Sequence, residues 1–469
     1  MKKTKIVCSI GPASNKYPVF KKMVEAGMNV ARINFSHATK EERECVVGLV
    51  KQVNEELGTH IAVLYDTKGP DFRTGVLENG EIELVEGNTI RIVKEDVVGN
   101  KERITVNYKD ALDDIHVGGT ILLEDGLMNL KVTAKDDEGL TCKIIAGGML
   151  GDRKGINVPG VKLNVPFISE IDREDIIYAC THDADFIALS FVDEAKDVLE
   201  VRKILKEQGR EDILLISKIE SETAIQNLDS ILEVSDGLMV ARGDLGVEVP
   251  VVNLPMYQKN MVEKCRHAGK ICIVATEMLE TMKKNARPTR AEVSDIANAV
   301  LDGTDAVMLS GETTAGKYPV DAVRYMANIC ENTEKYLDYG KTPDTNGKND
   351  VPSTIARSIK EATNDLDIKV IIAATQSGYT ARKISNLRPQ TVIMAACPNE
   401  KVAKSLAINF GVYPEVMSLA DSTDELIIHC KEHAMKKFGL QKKDYVLISG
   451  GFPNEMATKK TNFMKIEEI

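Results

Sequence analysis

The chain has 469 residues, an apolar fraction of 43%, no tryptophan and a formal net charge of −11. That length exceeds one small core and predicts roughly two to four domains. The negative charge argues against a general binder of nucleic acid or of a membrane surface, and confines positive charge for any anionic substrate to a local site. Nine cysteines stand singly without a CxxC pair, which predicts reduced, mostly core thiols in a cytoplasmic protein.

The start, MKKTKIVCSIGPAS, sets lysines before an apolar run, but that run is too short for a signal peptide and lacks a small-residue cleavage site. No other stretch approaches membrane-spanning length, so a soluble intracellular protein is expected.

Eight short apolar runs follow one another: Lys5–Ile10, Asn29–Phe35, Ile61–Tyr65, Phe186–Phe191, Ile213–Ile219, Gly237–Ala241, Ile271–Thr276 and Ala306–Leu309. Helix-like segments separate them. Ser14 is a candidate N-cap for a helix over Lys16–Ala26 closed by Gly27, and Ser294 lies in a strongly periodic run. Eight strand–helix units predict a (β/α)8 barrel of the α/β class. An open doubly wound sheet is the alternative, disfavoured by the count and by the lack of a Gly-rich dinucleotide turn.

Between about Gly69 and Gly160 the texture changes to short alternating stretches: Glu81–Val85, Thr89–Val93, Thr120–Leu123, Leu127–Thr133 and Leu140–Ile145. This reads as an all-β module inserted after the third barrel strand, hence a lid over the barrel mouth. A polar linker over Tyr336–Val351 leads to a smaller three-layer α/β unit with strands at Lys369–Ala374, Thr391–Ala396, Val412–Met417 and Asp444–Ser449. The expected division is 1–68 with 160–340 (barrel), 69–159 (lid) and 341–469 (C-terminal unit).

The fifth and sixth runs end abruptly in charge, at Lys218 and Glu220 and at Arg242 and Asp244. Parallel barrel strands bury both faces and place chemistry at their C-terminal ends. Residues after the other runs complete a ring: Arg32, Asn34, Ser36 and His37; Asp66, Thr67, Lys68 and Arg73; Ser190 and Phe191; Thr276 and Glu277; Ser310 and Glu312. Any one of these reads as a solvated charge or a cap; a full ring does not. Two carboxylates with few neighbours suit Mg²⁺, which keeps waters and takes substrate oxygens. Lys218 and the arginines can neutralise a transferring phosphoryl group, and Gly243 precedes a helix start whose N–H groups could hold a carboxylate. Asn34, Ser36, Asp66 and Thr67 are oxygen donors of low charge, open to either a monovalent cation or simple turn bonding.

Two motif matches are rejected. GETTAGKY at Gly311–Tyr318 nearly spells a P-loop but has Tyr318 where a hydroxyl must reach the metal. HCKEH at His429–His433 fits a zinc pattern without a third ligand. Thr375, Ser377, Gly378 and Thr380 follow a strand and open a helix, which fits a phosphate cradle and a plain capped helix start equally.

The motifs RINFSH, DTKGPDFRTG, SKIE, MVARGDLGVEVP, ATEMLETM and RPTRAEVSDIANAVLDGTDAVMLSGETTAGKYP resemble pyruvate kinase along essentially the whole chain. The resemblance implies transfer of the phosphoryl group of phosphoenolpyruvate to ADP, followed by protonation of the enolate to pyruvate. It implies Glu220 and Asp244 as ligands of Mg²⁺ (or Mn²⁺), and Asn34, Ser36, Asp66 and Thr67 as ligands of K⁺. Lys218 and Arg32 would stabilise the phosphoryl group. Arg73, Lys154, His37 and Asn34 would meet the nucleotide, and Gly243, Asp244 and Thr276 the pyruvate carboxylate. Thr276 would also lie near the protonation face, with Ser310 and Glu312 in a relay.

A homotetramer and a phosphorylated effector at Thr375–Thr380 are further expectations, as is the lack of an N-terminal helical extension and of an extra C-terminal domain. Departures are Asp71 in GPDFRTG, where the family has Glu and K⁺ dependence is still expected; Asp193, where the family has Arg; and a second effector loop, Gly450–Asn462, without a glycine after Gly451. A Mg²⁺-enolate lyase on a similar barrel and a non-catalytic sugar-phosphate sensor are the competing readings.

Overall fold

A computed structural model describes residues 1–340, 350–418, 422–451 and 461–469. All eight apolar runs form strands, Lys5–Ser9, Val30–Asn34, Ala62–Asp66, Phe186–Leu189, Leu214–Ile219, Gly237–Ala241, Ile271–Ala275 and Ala306–Leu309, and close one parallel barrel in which each pairs with the next and the eighth with the first. The first, third, fourth, sixth, seventh and eighth strands are buried at every residue, because side chains fill the interior and helices cover the outside. Reciprocal capping boxes start the helices at Thr39, Ser169 and Thr289. The last of these opens Arg290–Asp302, the periodic run around Ser294. Ser14 is not a cap: the first helix, Tyr17–Glu25, begins behind Lys16 with Pro18 in its first turn, and Gly11 N–H donates to the Ser14 hydroxyl at 3.1 Å.

The barrel floor has a fourfold clasp. The residue before each even-numbered strand, Asn29, Asp185, Asp236 or Asp305, accepts a backbone N–H from the start of the preceding odd-numbered strand. The donors are Ile6 at 3.0 Å, Val63 at 2.8 Å, Leu215 at 2.8 Å and Cys272 at 3.0 Å. Each clasp residue returns its own N–H to the same partner's carbonyl, at 2.9, 3.1, 2.9 and 3.0 Å. Backbone groups at the strand starts are thus satisfied in pairs. Asp305 also docks the C-terminal unit. Its carboxylate lies 3.1 Å from Arg388 and accepts the Phe410 N–H at 3.2 Å, both buried.

The insert holds a two-stranded ribbon and a six-stranded sheet around its own core, which includes Ile90, Leu130 and Leu140. Three of its strands, Arg103–Thr105, Gly148–Gly151 and Ile156–Asn157, lie outside the five alternating stretches of the sequence; each has four residues or fewer, too few for a period to show. The insert enters the barrel at Gly69 and leaves at Gly160. Gly69 has φ +69°, and a side chain there would meet the Ser190 carbonyl at 2.8 Å. The lid is closed: Asn157 Nδ2 donates to Glu248 Oε1 at 2.8 Å, and Gly126 at a hairpin tip sits against Val247.

The C-terminal sheet has the order Val412–Val416, Ile393–Cys397, Ile368–Ala374, Tyr445–Gly450, Phe463–Glu468, with helices on both faces. Its last strand is antiparallel and absent from the four sequence-expected strands, since FMKIEE is half charged. Residues 341–349 of the expected linker lie outside the described residues, as do 452–460 of the second effector loop. Eight of nine cysteines are buried and free, and Cys45 is exposed. Among the described residues no helix is long and apolar enough to cross a membrane.

Candidate active site

The ends of the second to fifth barrel strands meet in one buried ion network. Asp66, 1% exposed, accepts from Arg32 Nε at 2.7 Å and lies 3.3 Å from Lys218 Nζ. Lys218 Nζ also sits 2.9 Å from Glu220 Oε1 and donates to Ser190 Oγ at 2.7 Å. Arg32 reaches Ser9 Oγ at 2.6 Å. Burial alone would lower the Lys218 pKa, but Asp66, Glu220 and Asp244 together raise it above the ordinary lysine value. Burial likewise opposes ionisation of Asp66, and Arg32 and Lys218 overcome it, holding that carboxyl below its usual range. Burial pushes the Glu220 carboxyl up to about 8, with Asp244 adding and Lys218 opposing.

Glu220 is fixed from one side only. Its Oε2 accepts the Phe191 N–H at 2.6 Å, while Oε1, buried and beside Lys218, has no hydrogen bond of acceptable direction. An orphaned buried oxygen with a raised pKa is a group that a cation would relieve. Asp244 stands on the first turn of the short helix Arg242–Glu248 and lines the same cleft. Among the described residues no cluster of three or more His, Cys, Asp or Glu side chains is arranged for a metal. Glu220 and Asp244 line one cleft, and two carboxylates suit an ion that completes its shell with water and substrate oxygens, as Mg²⁺ does.

Three non-glycine residues at strand ends have left-handed backbones: Phe191 (φ +55°), Thr276 (φ +68°) and Glu277 (φ +54°). For β-branched Thr276 this is a strained conformation, costing about 1–3 kcal/mol. Arg242, unassigned by sequence, holds it. Its guanidinium donates to the Thr276 carbonyl at 2.6 Å and the Ala275 carbonyl at 3.2 Å and pairs with Asp295 at 2.7 Å. Thr276 Oγ1 in turn accepts the Gly243 N–H at 2.8 Å. Thus the side chain of Arg242 ties the seventh strand end to the helix that carries Gly243 and Asp244. Glu312 faces elsewhere: its carboxylate accepts the Leu279 N–H at 2.9 Å and the Ser310 N–H at 2.7 Å, so it shapes backbone and leaves the cleft to others.

Under the lid, a cleft of about 430 Å³ brings together Asn34, Ser36, His37, Asp66, Thr67, Arg73, Lys154, Lys218, Glu220 and Asp244. Arg32, Gly243, Thr276, Ser310 and Glu312 are not in its lining. Asn34 Oδ1 accepts the Ser36 N–H at 3.0 Å, a turn bond. Arg73 pairs with Asp71 at 2.5 Å and Lys154 with Glu124 at 2.5 Å, so both cations stand at the cleft with acidic partners. Asp193 also lines it, bonded to the Ser221 hydroxyl, with its carboxyl raised by burial.

In the C-terminal unit, Gly378 (φ +81°) precedes the helix Tyr379–Asn386. A side chain at Gly378 would meet the Arg382 guanidinium at 2.9 Å. Arg382 donates to the Ser377 carbonyl at 2.5 Å, the Thr380 hydroxyl bonds to Thr461 at 2.8 Å, and Thr375 is buried. The two rejected motifs stay rejected. Lys317 precedes a helix that begins at Pro319, and His433 bonds to Glu415 at 3.1 Å.

The family profile described as "Pyruvate kinase, barrel domain" matches residues 1–323, and "Pyruvate kinase, alpha/beta domain" matches 353–467. The chain belongs to the pyruvate kinase family. It is 44% identical to the pyruvate kinase of Bacillus licheniformis over 99% of this chain and 80% of that one. It is 41% identical to that of Clostridium acetobutylicum over both whole chains. The crystal structure of a pyruvate kinase from Cryptosporidium parvum superposes with a TM-score of 0.94 at 38% identity, covering 100% of this chain and 96% of that one.

Pyruvate kinases are phosphotransferases that act on phosphoenolpyruvate and ADP with a divalent metal and K⁺. Ser190 and Arg242, two of the ring residues that sequence reasoning left without a role, act on other side chains or on backbone. Their only sequence signal was position at a strand end. If Arg242 positions Thr276, Arg242→Met should lower turnover on the order of 10- to 100-fold, the worth of one or two hydrogen bonds from a charged donor. Steady-state assay of the purified variant checks this, and unchanged turnover would refute the role.

Proposed function

We propose that the cleft carries out phosphoryl transfer from phosphoenolpyruvate to ADP with the following roles. Lys218 and Arg32 neutralise the phosphoryl oxygens in flight, each preset by Asp66. Glu220 and Asp244 would hold Mg²⁺ (or Mn²⁺), which supplies charge stabilisation for the substrate carboxylate and phosphoryl oxygens when bound. Asn34, Ser36, Asp66 and Thr67 would hold K⁺. Arg73, Lys154, His37 and Asn34 bind the nucleotide phosphates, with Asp71 and Glu124 exchanging their cations for the ligand. The Gly243–Asp244 helix start and Thr276 orient the pyruvate carboxylate. The enolate carbon left by transfer takes its proton on the face near Thr276. Glu312 supports that face by fixing Leu279 and Ser310, a positioning role in place of a relay. The single observation carrying this reading is Lys218 held between the Asp66 and Glu220 carboxylates at the barrel mouth, with the Glu220 oxygen that faces it lacking a hydrogen bond.

A lactate-dehydrogenase-coupled assay with Mg²⁺, K⁺, phosphoenolpyruvate and ADP should show NADH loss that needs both substrates. Lys218→Met should abolish it while sparing exchange of solvent protons into the methyl group of bound pyruvate. Normal turnover in that variant would refute the role of Lys218.

The C-terminal loop Thr375, Ser377, Gly378, Thr380 serves a phosphorylated effector in this reading, supported by the open helix start and by Arg382 beside it. Ser377→Asp should remove activation by sugar phosphates without changing basal turnover; full activation in the variant would make the loop only a helix cap. We also propose a cytoplasmic homotetramer. Light scattering should read about four chain masses, and a monomer would overturn that assembly.

A further inference from the structure

Lys218 has three ammonium donors and three close neighbours of different kinds, two of them hydrogen-bonded and Glu220 in ion-pair contact only. Asp66 Oδ1 lies at 3.3 Å, Glu220 Oε1 at 2.9 Å and Ser190 Oγ at 2.7 Å. Asp66 and Glu220 are both proposed cation ligands, and a carboxylate that shares its charge with a cation holds a lysine less strongly. The Ser190 hydroxyl is neutral and belongs to neither ligand set.

The hydroxyl is itself held firmly. Ser190, 3% exposed, donates through Oγ to the Thr67 carbonyl at 2.7 Å, with Asp66 Oδ1 as a longer alternative at 3.2 Å. Its own N–H donates to Thr67 Oγ1 at 3.1 Å. With its proton committed to Thr67, the oxygen presents a lone pair to Lys218. The next residue, left-handed Phe191, turns the chain so that its N–H meets Glu220 Oε2 at 2.6 Å. The Ser190-Phe191 turn thus touches Thr67, Lys218 and Glu220 at once.

We propose that Ser190 is the positioning residue for Lys218. It is the acceptor that keeps the ammonium aimed at the phosphoryl group once Asp66 and Glu220 turn to cations, freeing the other two donors for substrate oxygens. Through Thr67 it also links the proposed K⁺ ligands to Lys218. The inference rests on the roles proposed above for Lys218, Asp66 and Glu220.

The test uses the full chain. Ser190→Ala should lower kcat for phosphoryl transfer on the order of 10- to 100-fold, as expected for loss of one hydrogen bond to a charged donor. The KM for phosphoenolpyruvate and proton exchange into pyruvate should stay near wild type. Adding Ser190→Ala to Lys218→Met should leave proton exchange into pyruvate as it is in Lys218→Met alone. Ser190→Cys, a closer fit with a weak acceptor, should fall in the same direction and replaces the alanine variant if that one does not fold.

In the metal- and substrate-free protein, the fall in urea midpoint caused by Ser190→Ala should be smaller in the Lys218→Met background, because the two residues share a bond, while loss of the Thr67 bond persists in both. Equal loss of transfer and exchange, or additive effects with Lys218→Met, would overturn the proposal. If wild type is active and Lys218→Met behaves as described but Ser190→Ala is unimpaired, this inference fails and the proposed function stands. An inactive wild type fails the function itself.

Discussion

The structure depends on keeping two buried carboxylates, Asp66 and Glu220, together with the part-buried cations Arg32 and Lys218 at the mouth of the barrel. Burying charge is costly unless every partner is in place. Asp66 is almost inaccessible and meets two cations, so its ionised form is secured. Glu220 has one oxygen on a backbone N–H and the other without a hydrogen bond. The network is therefore complete at Asp66 and incomplete at Glu220, which shares the cleft with Asp244.

The surrounding fold holds that arrangement rigid from two directions. At the floor, Asn29, Asp185, Asp236 and Asp305 tie alternate strands together, fixing where the strand ends emerge at the mouth. At the mouth, backbone strain at Phe191, Thr276 and Glu277 is sustained by specific bonds, those of Arg242 above all. Such outliers persist only where the surroundings over-determine them. The lid adds closure: Asn157 on Glu248 brings the insert down over the cleft, where exclusion of water strengthens the electrostatics.

Much of this was legible in the sequence, for a physical reason. Buried parallel strands need continuous apolar runs, so eight such runs revealed the barrel, and abrupt charge at Lys218–Glu220 and Arg242–Asp244 revealed its working end. What escaped was whatever lacks a period or a local signal. Short lid strands such as Ile156–Asn157 cannot show alternation, and Phe463–Glu468 hides its pairing behind charge. The floor clasp uses residues 29, 185, 236 and 305, whose irregular spacing leaves no repeat. Ser14 resembles a helix cap but serves a turn. Glu312 stands in the right place in sequence, and only its two backbone bonds distinguish support from chemistry. Arg242 and Ser190 likewise left no local signal, because each acts through contacts far away along the chain.

The central claim is that this ion network is built around two cation sites. Anomalous scattering from crystals grown with Mn²⁺ and Tl⁺ tests it most directly, with Tl⁺ standing in for K⁺. The account predicts a manganese peak between the Glu220 and Asp244 carboxylates and a thallium peak among Asn34, Ser36, Asp66 and Thr67. Manganese bound elsewhere, with Glu220 still resting on Lys218, would contradict it.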